Sequence, residues 1–124
     1  MLPSSHAIEA MYTTGHWLLG QQRASHAAEV FRLMTVTAPD DERSWLGLGA
    51  AHEALGQLPI AAELYRLSLT LGPFARCTLA RARVLVKLGD TTGSETCFDA
   101  ALEAARELGA TELEAMILAD RRMS

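Results

Sequence analysis

Several large protein classes are excluded by what this sequence has little of. Lysine and arginine together number 11 against 15 aspartates and glutamates, for a net charge of -4, so there is no cationic surplus with which to hold nucleic acid or an anionic membrane. No apolar run approaches the length needed to span a bilayer, and Met1 to Ala7 have neither the basic start nor the apolar stretch of a secretory signal. The expectation is a cytosolic chain whose partners are proteins. Cysteine is scarce: Cys77 and Cys97 fall on separate predicted helices without metal-ligand spacing, and a reducing cytosol keeps both as thiols. Catalytic signatures are missing as well. His6, His16, His26 and His52 have no i, i+3 or i, i+4 partner of metal-ligand type, and no glycine-rich phosphate loop or nucleophile elbow is present. His52 beside Glu53 is the nearest thing to an acid/base pair, but adjacent residues on a helix point in different directions. No metal, no cofactor and no enzymatic activity are expected.

What is present is apolar content and repetition. Hydrophobic residues make up 49% of 124 positions, enough for one modest core and a single domain over 1–124. From Trp45 the chain reads Trp45-Leu46-Gly47-Leu48-Gly49-Ala50-Ala51-His52, followed by Ala61, Tyr65 and Pro73. This resembles the tetratricopeptide-repeat pattern W-x2-L-G-x2-Y, A-x3-F, P, with His52 in the place of the tyrosine. A shift of 34 residues backwards lands on Gly15, Ala27, Phe31 and Pro39. A shift of 33 forwards pairs Gly56 with Gly89 and Tyr65 with Phe98, with Ala82 and Ser94 replacing the small residues Gly49 and Ala61. Three copies therefore lie at about 8–41, 42–74 and 75–108.

The landmarks have physical reasons. Each repeat is a helical hairpin whose helices must cross closely, which the small pairs Gly15 with Ala27, Gly49 with Ala61 and Ala82 with Ser94 permit. A glycine inside a helix costs ~1 kcal/mol relative to alanine, so its use at Gly15 and Gly49 implies close packing that repays it. Phe31, Tyr65 and Phe98 then fill the space between hairpins. Gly56 ends one helix, Pro59 suits the first turn of the next, and Gly72-Pro73 stops that one. Thr92 to Glu95 and Thr111 to Glu114 fit the capping box, and Asp40, Asp41 and Glu42 put negative charge at a helix start. These signals predict helices at about 6–21, 25–37, 41–55, 59–71, 75–88, 92–108 and 111–121. The predicted fold is all-α, a solenoid of three hairpins closed by a capping helix at about 111–121 that carries Leu113, Met116 and Ile117 on one stripe.

A narrower resemblance lies in Arg43-Ser44-Trp45-Leu46-Gly47-Leu48-Gly49-Ala50 followed by Ala54-Leu55-Gly56-Gln57, which is similar to the central repeat of the type III secretion translocator chaperones of the SycD/LcrH class. Ala28-Glu29-Val30-Phe31 before it and Leu85-Val86-Lys87-Leu88-Gly89-Asp90 after it extend the likeness from Leu18 to Ala105. The resemblance implies a bacterial cytosolic chaperone that holds a translocator-type export substrate and prevents its premature assembly. Binding is implied to occur in the concave groove lined by the first helix of each hairpin. In this register the groove face carries Tyr12, His16 and Leu19 from the first repeat, Arg43, Leu46, Ala50 and Glu53 from the second, and Arg76, Leu79, Arg83 and Val86 from the third. Leu19, Leu46 and Leu79 would receive apolar anchors, and the arginines would bond carbonyls or carboxylates of the ligand. Members of the class carry a longer amino-terminal helical region used in dimerisation, and few residues precede the first repeat here. Partnership with a second copy or with a small co-chaperone stays open, and so do two other functions: chaperoning the needle subunit, and acting as a generic repeat scaffold.

Overall fold

The computed structural model describes residues 4–124 and contains seven helices: α1 (Ser5–Gly20), α2 (Ala24–Thr37), α3 (Glu42–Ala54), α4 (Leu58–Ser68), α5 (Ala75–Lys87), α6 (Thr91–Glu107) and α7 (Thr111–Met123). Each prediction from local signals meets a helix, and the largest boundary error is at α4, which ends at Ser68. From there to Gly72 the chain tightens into i→i+3 bonds, with Leu69, Thr70 and Leu71 donating to Arg66, Leu67 and Ser68. No helix among the described residues is long and apolar enough to cross a membrane.

Short polar side chains and special backbone positions set the helix ends. Ser4 and Asp41 accept from the backbone N–H groups of Ala7 and Arg43 at the starts of α1 and α3. Neither predicted capping box forms. At α6 it is Asp90 that caps, accepting from the Gly93 N–H at 2.8 Å, because the helix begins at Thr91, one residue before the threonine assigned to that role. At α7 Ala110 occupies the cap position and no side chain bonds there. Helices α3, α5 and α6 end on Gly56, Gly89 and Gly109, all at positive φ. The next residue in each case donates back five positions, as Gln57 does to His52 O at 2.9 Å, so each hairpin turns through a Schellman motif. Gln22 takes the same left-handed place after α1 without the benefit of being glycine.

Helices α1, α3, α5 and α7 touch in succession, whereas no contact joins α2 to α4 or α4 to α6 among the described residues. The odd-numbered helices thus form the inner, crowded layer and the even-numbered ones are spread outside it. Phe31, Tyr65 and Phe98 lie at equivalent places in the core, none more than 1% exposed. The glycines serve these rings more than they serve helix–helix approach. A Cβ on Gly15 would lie 2.6 Å from Phe31 Cζ, one on Gly47 would overlap the opposite edge of the same ring, and one on Gly49 would overlap Tyr65. Phe31 is therefore clasped between α1 and α3, two helices of successive hairpins. Leu18, Met34, Leu48 and Ala51 complete the cluster around it, and a second cluster runs from Ala61 through Val84 and Leu102 to Leu113 and Ile117. Helix α7 covers the far end with Leu113 and Ile117; Met116, predicted on the same stripe, is exposed instead.

Charged side chains tie hairpin to hairpin at the repeat distance. Arg43 binds Glu9, 34 residues before it. Lys87 reaches Glu53 at the same separation. The Glu42 carboxylate accepts the backbone N–H groups of Arg76 and Cys77 at 3.0 and 3.2 Å, so the start of α5 is capped by the previous repeat. Burial there raises the Glu42 carboxyl, against the lowering pull of the two amides.

Candidate peptide-binding groove

The inner layer encloses a cleft of about 700 Å³, within the size range of ligand sites and open along one side. Nine of the residues predicted for a groove line it: Tyr12, His16 and Leu19 from α1, Arg43, Leu46, Ala50 and Glu53 from α3, and Arg83 and Val86 from α5. Its depth comes from the small residues Gly47, Ala50 and Ala80, below which the rings of Phe31, Tyr65 and Phe98 form the floor. Apolar surface therefore dominates the bottom, and charge is confined to the rims.

Two predicted residues lie elsewhere. Leu79 is 2% exposed and packs in the second core cluster. Ala80 occupies the cleft in its stead, 34 residues after Leu46 as Leu46 is 34 after Tyr12. One residue is about 100° of helix rotation, and the 33-residue shift that aligns Gly89 and Phe98 turns the wrong face of α5 towards the ligand at this point. Arg76 sits in the first turn of α5, exposed and outside the cleft, where only its backbone N–H is engaged, by Glu42.

Arg43 also departs from the role expected of it. Its Nε and one Nη bond Asp41 at 3.1 and 2.9 Å, while both Nη atoms bond Glu9 at 3.1 and 2.7 Å. The guanidinium carbon stands 4.7 Å from the centroid of the Tyr12 ring. Every donor nitrogen is engaged, so Arg43 works as a strut between α1 and α3 and as a wall of the cleft. Its hydrogen bonds hold the Glu9 and Asp41 carboxyls below the usual carboxylate range. Tyr12 also meets His16 at 5.9 Å between ring centroids and Phe31 at 6.4 Å, which makes this end of the cleft aromatic.

The middle is set by Tyr65, whose hydroxyl donates to Glu53 Oε2 at 2.6 Å. Burial, helped by that carboxylate, pushes the tyrosine hydroxyl well above its ordinary value, so it stays a donor. The other oxygen of Glu53 faces Lys87, 3.5 Å away. At the far end Asp120 from α7 pairs with Arg83, and Met123 and Ser124 complete the lining. Sequence reasoning treated α7 as a lid for the core only. Lys87 could have been found from its 34-residue spacing to Glu53, but nothing local to α7 signals that its last turn reaches the cleft.

Three helical hairpins with a cleft on their inner helices define a tetratricopeptide-repeat array, as expected from the spacing of Gly15, Gly49, Tyr65 and Pro73. No family model and no curated protein matches the sequence, but solved structures do. The chain is similar to PcrH from Pseudomonas aeruginosa, at a TM-score of 0.83 and 27% identity over 94% of this chain and 90% of that one. It is equally similar to PcrH in complex with the chaperone-binding region of PopB, at a TM-score of 0.82 and 27% identity over 94% and 96% of the two chains. The Yersinia enterocolitica type III secretion translocator chaperone SycD matches at 0.79 and 26% over 94% and 91%. The resemblance carried by the central repeat thus extends through the fold of nearly the whole chain, and the proteins it resembles are type III secretion translocator chaperones.

Proposed function

We propose that this chain is a cytoplasmic chaperone of a bacterial type III secretion system, a binding protein and not an enzyme, that holds a segment of a translocator in its concave groove. One observation carries the reading: the fold shared with PcrH, a protein seen with the chaperone-binding region of PopB, has here an open cleft with an apolar floor on its inner helices. A translocator segment exposes apolar side chains before it reaches a membrane, and a cleft deep at Gly47, Ala50 and Ala80 takes such side chains out of water. The charged rim keeps the unliganded groove soluble.

Co-expression with type III translocators and needle subunits tests this. A translocator is expected to co-purify and gain solubility, and Ala50→Glu, which puts a charge on the floor, is expected to abolish capture while leaving helicity intact. Capture of a needle subunit alone would move the function to that client. Capture of neither, or capture unaffected by Ala50→Glu, would refute the groove reading.

A further inference from the structure

The cations around the cleft are not equivalent. Arg43 is closed to a ligand, since Glu9 and Asp41 take all its nitrogens. Arg83 is open. Its Nε and one Nη both converge on a single oxygen of Asp120, Nε at 2.6 Å, its side chain is 46% exposed, and it has no other partner among the described residues. Lys87, one turn further along α5, is 58% exposed and reaches only one oxygen of Glu53. Both side chains line the cleft. Asp120 arrives from α7, whose seat does not depend on this pair: Leu113 and Ile117 are buried, and Arg121 bonds Glu95 and Asp99 of α6.

We propose that Arg83 and Lys87 form an acid-accepting end of the groove, with Asp120 standing in for a carboxylate of the bound segment until one arrives. The inference rests on the groove being the client site, and it specifies the client: a segment that carries Asp or Glu beyond its apolar anchors, on the side nearer α7. A guanidinium fork binds a carboxylate best through two parallel bonds to two oxygens. The Asp120 contact uses one oxygen and leaves that geometry unmet. A ligand carboxylate approaching from the open side can take the fork and gain Lys87, i+4 on the same helix face, while Asp120 turns to water with α7 in place. The aromatic end, with Arg43 saturated, offers no such cation, so the charge arrangement also sets the direction in which the segment lies.

The test is fluorescence anisotropy with short overlapping peptides covering the PopB and PopD sequences, each also made with Asp and Glu replaced by Asn and Gln. The proteins are the unaltered chain, D120N, R83Q and the groove-blocking A50E. For peptides that A50E excludes, D120N is expected to tighten binding of the acidic form severalfold and leave the neutralised form unchanged, and R83Q to weaken the acidic form alone. If acidic and neutralised forms respond alike to both variants, the inference is overturned and the groove reading stands. If no peptide binds in an A50E-sensitive way, both fall. Should D120N loosen α7, seen as an earlier thermal melt, R83Q decides by itself, because Arg83 is solvent-facing and anchors no part of the core.

Discussion

Phe31 is held between Gly15 and Gly47, and Gly47→Ala measures how tightly. Substituting alanine for a glycine inside a helix ordinarily gains ~1 kcal/mol. Here the new methyl would overlap the Phe31 ring, which is 1% exposed and cannot retreat, since Gly15 on the other side stands just as close. Overpacking of a core costs roughly 1–3 kcal/mol, and with the ring confined on both faces the upper half of that range applies. After subtracting the helix gain, the expected net loss is about 1–2 kcal/mol. At roughly 3–5 °C per kcal/mol for a chain of this size, Tm should fall by about 3–10 °C. Gly20→Ala is the control: nothing lies within 4 Å of its Cβ position and its φ is not positive, so Tm should hold or rise. In a Phe31→Leu background the smaller side chain makes room, and Gly47→Ala should then cost less, a coupling that a double-mutant cycle by thermal melting would report. A Gly47→Ala protein as stable as the unaltered chain, or one whose loss is the same with Leu at 31, would show that the glycine is not there for the ring.

Leu79→Glu and Ala50→Glu should separate core from groove: the first buries a charge where 2% exposure leaves it no water and should cost at least ~3 kcal/mol, seen as lost helicity, while the second keeps the circular dichroism spectrum. Glu42→Ala removes the acceptor of two amides at the start of α5 and should destabilise by about 1–2 kcal/mol, with hydrogen exchange rising first at Arg76 and Cys77. Burial pushes the Cys77 thiol from its ordinary 9.0 up to about 12. The folded protein should therefore resist thiol reagents at pH 8 until it is denatured. Between those two values the unfolded chain releases the proton and the folded one keeps it, so stability falls as pH rises through that window; Cys77→Ala should flatten the fall in thermal melts.

The helices, their hairpin pairing and the inner position of α1, α3 and α5 were legible because they are written in short-range signals: glycine turns, prolines, and rings repeating at a fixed spacing. The groove was legible wherever the register was unambiguous, as at Tyr12, Leu46 and Glu53. It failed at Leu79 because the third copy aligns at 33 residues in its second helix while Ala80 and Lys87 in its first stand 34 from their counterparts, and a single residue turns a groove position into a core one. Arg43 could be placed but its role could not, since nothing in its own helix shows that Glu9 arrives from another hairpin to saturate it. The reach of α7 into the cleft was hidden for the same reason: it depends on a crossing angle set by Leu113 and Ile117, not by any residue near Asp120.

The charged ties between hairpins imply that this array can count. At one repeat position the chain carries Glu9, then Arg43, then Cys77; at the next position back it carries Ile8, Glu42 and Arg76. Each joint is thus keyed differently, the first by an ion pair and the second by a carboxylate on a helix start. Duplicate the middle hairpin and an arginine meets an arginine while a glutamate meets the acidic start of its own copy. Delete it and Glu9 faces a buried thiol. Many repeat arrays grow and shrink freely because every joint is the same; here order and number are inscribed in the contacts, so the length of the groove, and with it the length of segment it can hold, is resistant to drift.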